Sequence, residues 1–327
     1  MSDCPFFDRM DAYASNDPPR QPASSRTVVR DVRLRGVAAV ILRGRAAASG
    51  VPHDLDCMTV RIVQAGAEVA EHDGRRLRLD EDACLVLNAG TAWCPSPVDG
   101  DTADTLTVAF PPSAVRSALS GLPLLEPLDA AATPDAVFTE CLRPRTGATG
   151  RAMEHLAARL DGASPSALQP AVAAVLAAAF DEERRMRTWC DRIACVKAGT
   201  RRELLRRVLR ARDHIESHAD SPIGVADVAA AAHLSRFHLV RLFRATLGTT
   251  PAALLRDKRL RLARRLLAHP ALDLEEVAAR VGLGTRSSLF RLLRRELGNG
   301  GRALRASAAW PERASLFTEA PACRIHA

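Results

Sequence analysis

The stretch VADVAAAAHLSRFHLVRLFRATLG, from Val225 to Gly248, is followed about fifty residues later by a second stretch of the same pattern, LEEVAARVGLGTRSSLFRLLRRELG, from Leu274 to Gly298. Each begins with a short apolar segment centred on Ala, continues through a turn with Ser or Thr, and ends in a basic segment. Because hydroxyl side chains are favoured at helix starts, each stretch is predicted to form two helices joined by a turn. This pattern is typical of a helix-turn-helix, whose second helix enters the DNA major groove.

The excess positive charge of the chain lies in the same region. The 327 residues carry a net charge of +8, and Arg201 to Arg305 holds 22 Lys and Arg against 10 Asp and Glu, whereas the remaining residues hold 24 against 28. A basic domain of this kind is typical of proteins that neutralise DNA phosphates. Charge alone leaves a solvated basic face as an equal alternative, but the repeated turn and Arg placement favour a double DNA-binding motif.

Helical periodicity predicts which side chains of each second helix face the core and which face DNA. The inward residues are Leu239, Leu242 and Phe243 in the first motif and Leu289, Leu292 and Leu293 in the second. The predicted DNA-binding residues are Ser235, Arg236, Phe237, Val240, Arg241 and Arg244 in the first motif, and Thr285, Arg286, Ser287, Phe290, Arg291 and Arg294 in the second. Arg241 is placed to contact a guanine edge, and Phe237 and Val240 to pack on thymine methyl groups. Phe290 either contacts bases or folds back into the core.

A single predicted helix joins the two motifs, from Ala252 to about Ala268 after Pro251. At 1.5 Å per residue its length is roughly 26 Å, and with the flanking helices it would hold two recognition helices roughly 34 Å apart, one turn of B-DNA. One chain is therefore expected to enter two successive major grooves. The basic residues of this helix are predicted to form a positive flank: Arg256, Lys258, Arg259, Arg261, Arg264 and Arg265. The alternative is a helical bundle that is basic for other reasons.

The N-terminal half has the pattern of short strands, followed by helices. Strands are predicted at residues 37–42, 58–63, 76–79, 84–87 and 106–110, with a hairpin at Asp73-Gly74, and this spacing favours a small barrel or sandwich. Helices are predicted at residues 113–119, 151–160, 167–187 and 201–218. The expected fold class is α+β, divided into a loose tail (1–25), a sensor domain (26–125), a helical linker or dimerisation segment (126–200), the double helix-turn-helix (201–305) and a second tail (306–327).

The sequence favours a cytoplasmic protein without a membrane span. The N-terminus lacks the apolar core of a signal peptide, and the longest apolar run, Ala171 to Phe180, is too short to cross a bilayer. Reduced, buried thiols are expected at Cys57, Cys84 and Cys141. An oxidant-sensing thiol is an alternative, for which Cys94 is the most exposed candidate.

An enzyme is a further alternative that the sequence disfavours. A metal oxygenase needs two or three converging His residues and a carboxylate, whereas the strand-rich region offers only His53 and His72. His214 and His218 have the i, i+4 spacing of a zinc-binding helix, but no third ligand is evident. We therefore predict no catalytic residue, no metal and no cofactor.

Residues from about Arg206 to Arg305 resemble the DNA-binding domain of the AraC/XylS family of bacterial transcription regulators. The matching elements include Asp227-Val228-Ala229, Leu239-x-Arg241-x-Phe243-Arg244, Thr250-Pro251, Arg259-Leu260-x-x-Ala263, Glu276-Val277-Ala278, Val281-Gly282 and Arg291. The resemblance implies sequence-specific binding to double-stranded promoter DNA, with base contacts from Phe237, Val240 and Arg241 in the first helix and Arg286, Ser287, Phe290 and Arg291 in the second.

The second motif departs from the family pattern. Leu283, Leu289 and Leu293 stand where the family has aromatic residues, Phe290 where a small polar residue is common, Gly301 in place of Pro and Leu304 in place of an aromatic residue. Leu fills less space than Phe, so a less filled second core is expected. A motif that contacts a partner protein instead of DNA is the corresponding alternative.

The segment IVQAGAEVAEHDGRRLRLDEDACLVLNAGTAW resembles, more weakly, the cupin-like sensor domain common at the N-terminus of this family. This resemblance implies a small barrel that binds a small-molecule effector, followed by helices that form a homodimer. The expected mechanism is effector-biased placement of the DNA-binding domains at a promoter, which changes recruitment of RNA polymerase in an activator or a repressor.

Overall fold

The computed structural model describes residues 28–34, 37–46, 53–54, 56–98, 102–120, 138–195, 197–268 and 272–297. The chain divides into two compact units. The first contains Met1–His72, Leu79–Glu140 and Thr149–Phe180, and the second contains Asp73–Arg78, Cys141–Ala148 and Asp181–Ala327. The predicted tails 1–25 and 306–327 lie outside the described residues, as do Gly298, Gly301, Leu304 and Arg305 and the side chain of His53.

The strands occupy mainly the N-terminal half of the chain, and the helices the C-terminal half. The strands are β1 (Val28–Leu34), β2 (Val37–Ala46), β3 (His53–Asp54), β4 (Met58–Ala65), β5 (Ala67–His72), β6 (Arg75–Asp80), β7 (Ala83–Leu87), β8 (Ala92–Trp93), β9 (Ser96–Pro97), β10 (Ala103–Phe110) and β11 (Leu142–Pro144). The helices are α1 (Pro112–Ser120), α2 (Ala148–Ala157), α3 (Pro165–Asp191), α4 (Ala198–His218), α5 (Val225–Ala231), α6 (Arg236–Leu247), α7 (Pro251–Leu267), α8 (Leu274–Arg280) and α9 (Arg286–Leu297). The predicted mixture of helix and sheet, with a helical C-terminal domain, is confirmed.

The first unit contains an open antiparallel sheet, and the predicted closed barrel is wrong for the described residues. The strand order runs β1-β2-β10-β4-β7 with β1 at an edge, while β3 pairs with β8 and β5 with β9 in separate sheets. One face of the large sheet packs on helices: Ile41, Val60 and Val108 share a buried cluster with Leu156 of α2 and Val172 of α3. Because helices bury this face, the strands do not need to close on themselves.

The strand predictions succeed where the local sequence is strongest. All five predicted segments lie inside strands, and β10 pairs with β2 and β4, which places Val108 opposite both Ile41 and Val60. Asp73 and Gly74 connect β5 to β6 with φ values of 50° and 64°. Two consecutive left-handed residues are typical of the tight hairpin turn that Asp-Gly favours.

The second unit builds its helices around α7. This helix packs against α4, α5, α6, α8 and α9, so both pairs of short helices share one support. Among the described helices, none combines the length and apolar composition that a membrane-spanning segment needs.

Candidate nucleic-acid interface

The first motif comprises α5, a turn and α6. The backbone N–H of Gly224 donates to Asp227 Oδ2 at 2.8 Å where α5 begins. In the turn, His233 has a φ of 52°, and Arg207 Nη1 of α4 donates to its carbonyl oxygen at 3.2 Å. Ser235 precedes α6, and its Oγ accepts a hydrogen bond from His238 N at 3.3 Å. The predicted caps therefore form, and α4 holds the turn.

The second motif repeats these caps with a longer turn. Asp273 and Glu276 form a reciprocal capping box, with Glu276 N donating to Asp273 Oδ1 at 2.8 Å and Asp273 N donating to Glu276 Oε2 at 3.1 Å. Thr285 precedes α9 and accepts from Ser288 N at 3.3 Å. Gly284 adds a left-handed residue, with a φ of 68°, that the first turn lacks. The recognition helix α9 therefore begins fifty residues after α6, whereas α8 begins forty-nine residues after α5.

The turn of the second motif lies directly against the loop that follows α4. A Cβ atom on Gly282 would be 2.2 Å from the carbonyl oxygen of Ser221 and 2.9 Å from that of Ala219. The φ of Gly282 is 67°, which also disfavours any larger residue. Glycine is required here by close backbone approach and by backbone conformation.

The inward faces of both recognition helices are buried as the periodicity predicted. Leu239, Leu242 and Phe243 have exposed fractions of 0%, 4% and 0%, and Leu289, Leu292 and Leu293 of 1%, 7% and 0%. Leu289 and Leu293 share a core with Ala263 and Leu267 of α7. The register of α9 is therefore the predicted one, and Leu residues close the second core in place of aromatic residues.

The outward face of α6 is open to solvent. The exposed fraction of Phe237 is 79% and that of Val240 is 37%. Arg236, Arg241 and Arg244 are exposed, and their guanidinium groups make no hydrogen bond or ion pair with any described residue. This face offers free guanidinium groups beside bare apolar side chains.

The outward face of α9 carries similar residues, but its side chains contact one another. The Arg286 guanidinium carbon lies 5.3 Å from the ring centroid of Phe290, and Phe290 is half-buried. Arg291 Nη2 donates to Ser288 Oγ at 3.0 Å, and Thr285 Oγ1 donates to the same oxygen at 3.0 Å. Ser287 and Arg294 are exposed. Ten of the twelve predicted DNA-binding residues thus lie on α6 and α9, Ser235 and Thr285 cap these helices, and the DNA contacts of all twelve stay predictions.

Sequence reasoning missed Ser288, which positions Arg291. The available signal was its spacing: Ser288 lies three residues after the capping Thr285 and three before Arg291, and residues three apart are neighbours on a helix surface. It also overestimated the positive flank of α7, because Lys258 is buried and the guanidinium groups of Arg259 and Arg261 meet protein oxygen atoms. Lys258 Nζ is 3.1 Å from Glu216 Oε2, with 3% of the side chain exposed.

Arg259 of α7 holds the loop after α4. Its Nε donates to Ala219 O at 3.0 Å, and its Nη2 donates to Ser221 O at 2.8 Å and Ile223 O at 3.0 Å. Ala219 is the C-cap of α4, where helix carbonyl groups lack intrahelical partners, and the Ser221 carbonyl oxygen also accepts from Ile223 N at 2.7 Å. Arg259 therefore joins the linking helix to the loop against which Gly282 packs.

A buried carboxylate anchors α4 within the second unit. Asp213 Oδ2 accepts from Arg75 Nη1 at 2.9 Å, and its Oδ1 accepts from Leu142 N at 3.1 Å. Burial raises the pKa of Asp213 to about 6, although Arg212 and Arg75 oppose the shift. The helix that supports the first motif, α4, is therefore held by a carboxyl group that changes its protonation state near pH 6.

The histidines form packing contacts. The rings of His214 and His218 stack with centroids 4.3 Å apart, and burial, followed by the charge of His218, lowers the pKa of His214. His72 Nε2 lies 3.0 Å from Glu140 Oε2. Burial favours the neutral form of Glu140, but hydrogen bonds from His72, Thr91 and Asn88 outweigh it and lower its pKa. Within the described ranges, no three His, Cys, Asp or Glu side chains are grouped as a metal site.

The thiols are distributed as expected. Cys57, Cys84 and Cys141 are buried and Cys94 is exposed. Burial raises the pKa of Cys141 above its usual value, which disfavours the reactive thiolate there.

A small cavity lies in the first unit. It has a volume of about 20 Å³ and is lined by Leu42, Cys57, Thr59, Arg61, Leu87, Thr91, Trp93 and Thr107. Arg61 Nε donates to Glu68 Oε1 at 2.5 Å, and its Nη1 donates to Thr107 Oγ1 at 2.8 Å. Trp93 has an exposed fraction of 2%, and its indole N–H has no hydrogen-bond partner among the described residues. The cavity lining therefore includes one donor, the Trp93 indole N–H, that a hydrogen-bond acceptor could satisfy.

Comparison with known proteins concerns mainly the C-terminal part. A family model described as a helix-turn-helix domain matches residues 228–306. The probable transcriptional regulator LumQ of Photobacterium leiognathi is 34% identical over 86 residues, which cover 26% of this chain and 35% of LumQ. RclR of Escherichia coli K12, an RCS-specific HTH-type transcriptional activator, is 36% identical over 74 residues, covering 23% of this chain and 26% of RclR.

The aligned region spans about a third or less of the length of these relatives. A solved structure, the C-terminal domain of AraT, a response regulator from Geobacillus stearothermophilus, is 27% identical in sequence. The alignment covers 33% of this chain and 90% of the AraT chain, with a TM-score of 0.30. The family match begins within α5 and continues beyond α9, so it includes both recognition helices. The C-terminal part of this chain is therefore a helix-turn-helix domain of the AraC type.

Proposed function

We propose that the protein is a transcription regulator that binds double-stranded promoter DNA with α6 and α9 in successive major grooves. The observation that carries the proposal is the arrangement of two exposed Arg-bearing helices on one shared helix, α7. This helix has 17 residues, a length of roughly 26 Å. The family match to both motifs supports the same function.

On this proposal the exposed side chains have separate roles. Arg241 and Arg291 contact guanine edges, because a guanidinium can donate two parallel hydrogen bonds to guanine O6 and N7. Arg286 contacts a base edge, as the family resemblance implies, whereas Arg236, Arg244 and Arg294 contact phosphates, with help from the caps Ser235 and Thr285. Phosphate contacts give affinity without sequence preference, so binding is expected to weaken steeply with salt.

Selection from random duplex DNA with the full chain tests this function. We expect one sequence to be enriched and its binding to depend strongly on salt. Arg241→Ala is expected to weaken binding to this sequence about 10- to 100-fold. Arg159→Ala is the matched control, since Arg159 is exposed on the first unit and is not expected to meet DNA. The absence of any enriched sequence would contradict the proposal.

We further infer that the first unit is a cupin-like sensor of a small-molecule effector, and that the effector binds at the cavity described above, which has room for about one water molecule and must widen to admit the effector. The unpaired indole N–H of Trp93 supports this inference, because a buried donor without a partner costs about 1–3 kcal/mol. An effector with a carbonyl or carboxylate group would satisfy it. Binding changes the equilibrium between two arrangements only if the effector prefers one of them.

The rest of the proposed mechanism follows from the family resemblance. The regulator acts in the bacterial cytoplasm as a homodimer, has no catalytic activity, and changes recruitment of RNA polymerase. Thermal unfolding of the full chain against a panel of small carboxylates tests the sensor role. A ligand is expected to raise the unfolding temperature of the wild type. The increase should be smaller for Thr59→Val, because this change alters the cavity wall. A panel without any shift argues against this cavity as the effector site.

A further inference from the structure

We propose that the two recognition helices detect different chemistry: α6 detects thymine methyl groups, whereas α9 contacts guanine edges without a methyl contact. The two half-sites of the DNA target are then different sequences and not copies of one another. This inference rests on the proposed function and names the sequence features that each helix recognises.

The apolar side chains of α6 are placed for methyl contacts. Among the described residues, Phe237 and Val240 are the large hydrophobic side chains that remain exposed. They lie three residues apart, so they are neighbours on one helix face. The thymine methyl is the apolar group of the major groove. Contact with it removes apolar surface from water on both sides, which favours binding at this position.

The equivalent positions of α9 have lost this surface. At an offset of fifty residues, Ser287 takes the place of Phe237 and Phe290 that of Val240. The ring of Phe290 is half-buried, and the guanidinium of Arg286 lies over it. A guanidinium above an aromatic face is an attractive cation–π pair. Phe290 therefore supports Arg286 and does not present a bare apolar face.

Two arginines of α9 are also held before DNA is bound. Arg286 rests on Phe290, and Arg291 donates one hydrogen bond to Ser288 Oγ at 3.0 Å. A guanidinium has five N–H donors, so Arg291 keeps enough of them for a bidentate contact with guanine. Side chains that are already ordered lose less conformational entropy on binding. The second helix is thus suited to polar contacts with base edges.

Single-atom changes in DNA test the inference with the full chain. Starting from the selected duplex, with footprinting to assign each half-site, every thymine is replaced in turn by deoxyuridine, which lacks only the methyl group. Every guanine is replaced by 7-deazaguanine, which lacks the N7 acceptor. We expect deoxyuridine to weaken binding about four-fold at one or more positions of the α6 half-site and to have no effect in the α9 half-site. The guanine change is expected to weaken binding in both.

Matched variants assign the effect to residues. Phe237→Ser gives α6 the residue that α9 has, and it should reduce the deoxyuridine effect to the part that Val240 supplies, while the 7-deazaguanine effect remains. Phe290→Ala should leave the deoxyuridine effect in place and reduce the 7-deazaguanine effect in the α9 half-site. Phe237 is 79% exposed, so Phe237→Ser is expected to fold, and circular dichroism can verify this. Phe237→Leu keeps an apolar side chain and should retain part of the deoxyuridine effect that Phe237 contributes.

The outcomes separate this inference from the proposed function. If no sequence is enriched, the proposed function fails and the inference fails with it. If a sequence is enriched but deoxyuridine weakens both half-sites, only the α9 half-site, or neither, the inference alone is overturned. A deoxyuridine effect of unchanged size in Phe237→Ser also overturns it.

Discussion

The first and second helix-turn-helix motifs have the same local pattern but different support and different outward faces. In the first, α5 and α6 pack on both α4 and α7, with Phe243 in the core. In the second, α8 and α9 pack on each other and on α7 around an aliphatic core. The comparison shows that caps and inward residues determine a motif, whereas its support and the chemistry of its outward face can change independently.

The loop after α4 connects the two motifs. Arg259 donates to the carbonyl groups of Ala219, Ser221 and Ile223, and Gly282 approaches the backbone of the same loop. Substitutions at these contacts should therefore affect the second motif more than the first, and substitutions in the anchor of α4 should affect the first.

The largest effect is expected from Gly282→Ala. The added Cβ would overlap the carbonyl oxygen of Ser221, at 2.2 Å, and a left-handed conformation disfavours Ala as well. We expect the free energy of unfolding to fall by about 3–4 kcal/mol, with hydrogen exchange accelerated first in α9. Gly284→Ala is the matched control: Gly284 has a φ of +68° but nothing within 4 Å, so only about 1 kcal/mol should be lost. Equal losses would contradict the close approach.

Raising the pH should destabilise α4, the helix that supports the first motif, because Asp213 loses its proton. The folded protein holds the Asp213 proton up to a pH of about 6, against 3.8 as the ordinary value. The contribution of Asp213 to the free energy of unfolding is therefore greatest below pH ~4 and falls by about 3 kcal/mol as the pH rises through ~6. Urea unfolding at a series of pH values measures this slope, and Asp213→Asn should remove it. The lowered pKa of His214 contributes a slope of opposite sign, which His214→Gln isolates. An unchanged slope in Asp213→Asn would contradict this assignment.

A comparison of Arg241→Ala with Arg291→Ala tests whether both motifs contact DNA. Each is expected to weaken binding to the selected duplex about 10- to 100-fold, because each loses a guanine contact. Binding assays at fixed salt measure the ratio, with Arg159→Ala as the control. If only Arg241→Ala has an effect, the second motif contacts something other than bases.

The smallest effect is expected from Ser288→Ala. This change removes the hydrogen bond that positions Arg291 but keeps the guanidinium, so affinity should fall only about two- to five-fold. His238→Ala changes the corresponding residue of α6, where Arg241 makes no hydrogen bond with any described residue, and should have no effect. A larger loss in His238→Ala than in Ser288→Ala would contradict the proposed difference between the helices.

Most of the helical domain could be predicted, because its signals are local. Ser235, Thr285 and the Asp273–Glu276 pair mark helix starts within three or four residues of the groups they cap, and the spacing of Leu239 and Phe243 marks a buried face. The predicted barrel was wrong because strand patterning shows that a face is buried, but not what covers it. Helices α2 and α3, distant in sequence, cover the sheet.

The sequence by itself determined the two helix-turn-helix motifs, their caps, their inward residues and the hairpin at Asp73-Gly74, since each depends on backbone preferences and periodicity over a few residues. Only the tertiary structure decided which arginines are free. Arg259 and Arg241 have the same charge, but Arg259 meets carbonyl groups about forty residues away in sequence, whereas Arg241 faces solvent. Periodicity places a side chain on a face of its helix, and the packing of distant segments then determines whether that face meets protein or solvent.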